Sequence, residues 1–106
     1  MTIDEMQYKV RIAPSAVDRM EEHFEFLAQV SSSAADKLRL ELKKDIQSLQ
    51  VMPYRNPSYR KCYLQPEKYR YLISQKRYRI IYQIVENTVF VDDIQDCRQN
   101  DDKDLI

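Results

Sequence analysis

Residues 69–100 read YRYLISQKRYRIIYQIVENTVFVDDIQDCRQN, and their period of two decides the fold. Three runs, 69–74, 77–85 and 88–94, are rich in Tyr, Ile, Val and Phe, and the short gaps between them predict successive antiparallel hairpins. Glu86-Asn87 forms the second turn. The chain contains no glycine, so asparagine, which tolerates a left-handed backbone, is the expected substitute there. Within 77–85, Tyr78, Ile80, Tyr82 and Ile84 share one face, and Arg77, Arg79, Ile81, Gln83 and Val85 share the other. Apolar residues on both faces mark a central strand.

Outward from this sheet, residues 7–13 alternate in the same way, with Tyr8, Val10 and Ile12 on one face and Lys9 and Arg11 on the other. Pro14 ends that strand. Ser15 and Asp18 have the spacing of a capping box, and Val17, Met20, Phe24 and Leu27 then recur at helical intervals to about Val30. The run Ser31-Ser32-Ser33 breaks the helix. Ser33 with Asp36 repeats the capping spacing before Leu38, Leu42, Ile46 and Leu49 resume the period. Pro53 ends the second helix near Val51, and residues 53–68 read as an irregular connector. The expectation is one domain spanning 1–106, of class α+β: a helical hairpin packed on a twisted antiparallel sheet, in the order β-α-α-β-β-β. An isolated first strand would leave backbone groups unpaired, so it joins the same sheet. The acidic tail, 100–103, reads as disordered.

Composition narrows the chemistry. A chain of 106 residues, 43% hydrophobic, builds one modest core. It has no apolar run long enough for a membrane span and no secretion-signal layout at its start, so a cytoplasmic location is expected. Cys62 and Cys97 lack metal or redox spacing, and His23 is the only histidine. No metal site, cofactor or Ser-His-Asp triad is expected, and His23 reads as structural or surface.

The formal net charge of zero conceals an asymmetry: residues 53–83 hold eight Lys/Arg against Glu67 alone, together with seven of the eight tyrosines. Such a mixture suits RNA, because guanidinium groups fork onto phosphates and aromatic faces stack on unpaired bases. Lys68, Lys76, Arg77, Tyr78 and Tyr82 are the candidate RNA contacts. Two other readings stand beside this one: sheet tyrosines with solvated basic positions, or a basic face that meets an acidic protein segment. Arg79, flanked by buried positions, is either functional or paired with Asp92 or Asp93. If Arg70 and Arg98 converged on it, three guanidinium groups would stabilise a pentacoordinate phosphate.

Residues 69–100, with the element Tyr78-Arg79-Ile80-Ile81-Tyr82, and the opening YKVRIAPSAVDRMEEHFEFLAQ resemble the toxins of the RelE/ParE family of type II toxin–antitoxin systems, also known as plasmid stabilisation proteins. The resemblance covers nearly the whole chain. It implies a RelE-like fold, growth inhibition, neutralisation by a cognate antitoxin and one of two activities. RelE-like members are endoribonucleases that cleave mRNA on the ribosome; ParE-like members inhibit DNA gyrase without cutting RNA. On the first reading, which the basic and tyrosine-rich stretch 53–83 favours, Arg79 matches the phosphate-stabilising arginine, with Arg70 on the preceding strand and Arg98 near the C-terminal basic position. Leu72 replaces an expected lysine, and Cys97-Arg98-Gln99 replaces a His-Tyr ending, so no general base is evident. Tyr78, Tyr82, Lys76 or Glu67 would serve only with a suitably tuned pKa or position.

Overall fold

The computed structural model describes residues 7–61 and 63–98; Cys62 and the acidic tail lie outside the described residues. The chain runs β1 (Lys9–Ile12), α1 (Pro14–Ala28), α2 (Ser32–Gln47), β2 (Tyr69–Ser74), β3 (Tyr78–Val85) and β4 (Thr88–Asp96), with 3-10 turns at Ser48–Gln50 and Pro53–Arg55. The two helices lie on one face of a four-stranded sheet ordered β1-β4-β3-β2. β3 is central, as its two-sided apolar pattern requires.

The sheet is mixed, which corrects the antiparallel expectation: β2, β3 and β4 form an antiparallel meander, but β1 pairs parallel to β4. A meander offers two edges, and its β2 edge is occupied. Tyr59 N–H donates to Tyr69 O at 2.7 Å and Tyr71 N–H to Pro57 O at 3.1 Å, so the connector itself covers that side. β1 therefore takes the β4 edge, and the long helical crossover between them permits a parallel approach.

Helix starts also differ from the spacing argument. α1 begins at Pro14, whose ring presets φ at the first helical position, with no side-chain cap from Ser15. In α2 the cap is Ser31, whose Oγ accepts from Ala34 N–H at 3.1 Å, because Ser31 already has the extended backbone an N-cap needs. Turn chemistry is equally displaced. In the two-residue β3–β4 turn the left-handed position is the first, so Glu86 (φ 56°) and not Asn87 adopts it.

The core joins Phe24, Leu38, Leu42, Ile46 and Leu49 from the helical side to Tyr78, Ile80, Tyr82, Val89, Val91 and Ile94 from the sheet. Each large side chain so buried contributes roughly 1.5–3 kcal/mol. His23 belongs here: its Nε2 lies 2.7 Å from Ile94 O and its ring rests on Tyr78, a structural role. A bulge in β4 pairs Ile81 with Asp93 and Tyr82 with Val91, which leaves Asp92 as the extra residue. Val91 and Ile94 thereby both reach the core, while Asp92 accepts from Gln83 and Asp93 faces Arg19.

Candidate interaction surface

Strand register separates the arginines. Arg70 pairs with Tyr82 and so points to the helical side, whereas Arg79 pairs with Ile73 and Gln95 on the opposite face. The Arg79 guanidinium lies against the rings of Tyr59 and Tyr71, 5.4 and 5.6 Å from their centroids, and donates to Gln95 Oε1 at 3.0 Å. Gln95 is thus one of its partners, on the strand where Asp92 or Asp93 was expected to supply one. Arg70 donates to Asn56 O at 2.7 Å and Tyr54 O at 3.3 Å, and stacks on the Tyr54 ring. Arg98 follows the last strand, exposed, and gives its backbone N–H to Asp96. The sheet stands between Arg70 and Arg79, so the three do not converge.

The other foreseen RNA contacts are dispersed. Tyr78 and Tyr82 are buried core residues, with no ring face left for a base to stack on. Burial pushes both phenols up; Arg77 and Arg98 oppose this at Tyr78, and the Asn56 hydrogen bond with Arg70 and Arg55 opposes it at Tyr82. A phenol raised in this way is a poor general base at neutral pH. Arg77 is committed to Asp96 through a two-pronged ion pair, 3.0 Å from Nε and 2.8 Å from Nη2. Lys76 sits in the left-handed β2–β3 turn, and Lys68 lies over the Tyr69 ring. Among the described residues no group of His, Cys, Asp and Glu could hold a metal ion.

Two features escaped the linear reading. The first is a groove of about 460 Å³ between the helical hairpin and β1, floored by Val10, Ile12, Met20, Phe24, Leu42 and Ile46, and rimmed by Glu21, Arg39 and Lys43. The adjoining edge of β1 pairs with no further strand among the described residues; its Tyr8 N–H donates to Gln50 O. Helical periodicity marks these apolar residues as inward-facing but does not show that the helices and β1 stand apart enough to leave a furrow. The second is the segment 51–54, where Met52 is left-handed and Val51, Met52 and Tyr54 are exposed. Its sequence signal was a methionine before proline in a chain without glycine.

A helical hairpin on a small mixed sheet, with an apolar groove between the hairpin and the edge strand β1, defines a domain of the RelE/ParE toxin type. The family model for the "ParE toxin of type II toxin-antitoxin system, parDE" matches residues 10–101, and the chain belongs to that family: it is the toxin component of a type II toxin–antitoxin system. Its fold is also that of a chain in the solved "Chromosomal ParDE TA system from P. aeruginosa", with a TM-score of 0.69 and 10% identity over 86% of this chain and 97% of the other. No curated protein matches the chain.

Proposed function

We propose that this toxin arrests growth by binding and inhibiting DNA gyrase, as ParE-like members do, and not by cutting mRNA. The family match over residues 10–101 carries this reading, and it reverses the order of preference reached from sequence. The separated arginines support it, since electrostatic catalysis needs donors aimed at one developing charge. Residues Arg79, Arg70 and Arg98 remain the candidates for any phosphate contact, with Lys68, Lys76 and Arg77 as outlying cations. The cognate antitoxin seats an amphipathic segment in the groove beside β1, adding backbone pairs along the open edge and apolar anchors along the furrow. The toxin works in the cytoplasm, where gyrase and ribosomes are; no helix among the described residues is long and apolar enough to cross a membrane.

The test pairs two assays on the purified, folded toxin. Supercoiling by gyrase should fall with added toxin and recover with antitoxin, while mRNA on programmed ribosomes stays intact. Cleavage of that mRNA without any effect on supercoiling would reinstate the ribonuclease reading.

A further inference from the structure

The segment 51–54 exposes three large apolar side chains, Val51 (41%), Met52 (58%) and Tyr54 (55%), around the buried Pro53. Its backbone is held in an unusual shape. Met52 has φ 51° and ψ 54°, although a residue before proline ordinarily takes an extended backbone and a left-handed one is strained for any side chain with a Cβ. Every carbonyl of the segment accepts from a side chain elsewhere. Arg55 Nη1 reaches Val51 O and Met52 O, the Tyr82 hydroxyl donates to Pro53 O at 2.6 Å, and Arg70 donates to Tyr54 O. Arg55 Nη2 adds a bond to Ser48 Oγ at 3.2 Å. The segment's carbonyls are thus all satisfied within the protein, and its three large apolar side chains face solvent.

We propose that residues 51–54 form a preformed knob that the toxin inserts into an apolar pocket, rimmed by carboxylates, on the protein it inhibits. The inference rests on the reading of this chain as an inhibitor that binds a protein target. An apolar side-chain cluster on a fixed backbone loses little freedom on binding, and Tyr and Met with flanking Arg are residue types enriched at the centres of interfaces. The acidic rim follows from charge: residues 46–66 contain no Asp or Glu, and Arg55, Arg60 and Lys61 follow the knob in the chain. A nucleic acid fits less well, since of the three protruding side chains only Tyr54 offers a ring to a base, and that ring already carries Arg70 and Tyr8. Gln50, which lines the groove, immediately precedes the knob. An antitoxin lying in that groove would stand against it and exclude the target.

Met52→Gly is the informative variant, because glycine suits the left-handed backbone and removes only the protruding side chain; Val51→Glu supplies an independent disruption on the same surface. Three readouts are compared with wild type: growth arrest on induced expression, inhibition of gyrase supercoiling, and capture of the cognate antitoxin, with thermal melts alongside. Both variants should abolish growth arrest and need at least about tenfold more protein for half-inhibition, while Met52→Gly melts no lower than wild type and both still capture antitoxin. Arrest at wild-type potency by both variants overturns the proposal. So does loss of antitoxin capture with arrest retained, which would make the knob an antitoxin contact. If wild type leaves gyrase untouched yet both folded variants lose growth arrest, the gyrase reading falls and the knob stands, serving another protein target.

Discussion

Arg70 stands opposite Tyr82 and Arg79 opposite Gln95, so the two guanidinium groups occupy opposite faces of one sheet. Their removal should have different consequences. Arg70 ties the connector to β2 through two carbonyls, and charge-assisted hydrogen bonds of this kind contribute about 1.5–3 kcal/mol. Arg70→Ala should therefore lower stability by roughly 2 kcal/mol in urea melts and loosen the connector, whereas Arg79→Ala should perturb the opposite face, where Tyr59, Tyr71 and Gln95 meet its guanidinium. A loss below about 0.5 kcal/mol from Arg70→Ala would show that its guanidinium does not clamp the connector.

Tyr82 places a hydroxyl between Pro53 O and the Asn56 amide, at 2.6 and 2.9 Å. Tyr82→Phe keeps the ring in the core but leaves both groups short of a partner, so it should destabilise by about 1–3 kcal/mol. Proteolysis within residues 51–56 should accelerate by more than global stability predicts. Uniform acceleration along the chain would mean that the hydroxyl does not anchor this loop in particular.

Asp96 is 1% exposed and held by both prongs of Arg77. Arg77→Ala would strand a buried carboxylate and should cost about 3–5 kcal/mol, whereas Arg77→Met with Asp96→Leu should recover most of that loss. A double-mutant cycle measured by denaturant melts checks both values.

The same pair predicts a pH dependence. Burial alone would push the Asp96 carboxyl up, but the Arg77 hydrogen bonds, the Arg98 N–H and the Arg77 charge together hold it below its ordinary 3.8. A depressed folded pKa means stability that is complete above the unfolded value and is lost as pH falls through the folded one. Melting temperature should hold steady well above 3.8 with respect to this group and drop below it, and Asp96→Asn should flatten that acid limb. An unchanged acid limb in the variant would assign the loss to other carboxylates.

Gln75 and Lys76 both have φ of 57° in the turn that Arg77 N–H closes onto Ser74 O. A left-handed backbone costs a residue with a Cβ about 1–2 kcal/mol, against which glycine's greater freedom in the unfolded chain offsets about 0.5–1. Lys76→Gly should therefore stabilise the protein by roughly 0.5–1 kcal/mol, read as a higher melting temperature.

Much of this architecture was present in the sequence as periodicity. The alternation of Tyr78, Ile80, Tyr82 and Ile84 placed β3 at the sheet centre, and the helical spacing of Leu38, Leu42, Ile46 and Leu49 placed α2 on it, because burying an apolar stripe is a local demand that each segment states for itself. The adjacent acids of Val91-Asp92-Asp93-Ile94 even carried the bulge, as a break in that alternation. What only the tertiary structure decided was where residues from different segments meet. Register, which reverses a side chain's face with each one-residue shift, set Arg70 and Arg79 apart. Capture of the meander's other edge by the connector left β1 the β4 edge, where it pairs parallel. Hydrogen bonds from Arg55, Arg70 and Tyr82 hold Met52 in a shape that its own torsional preferences oppose. Pairings across long stretches of chain leave no periodic trace, since their geometry depends on how already formed elements dock.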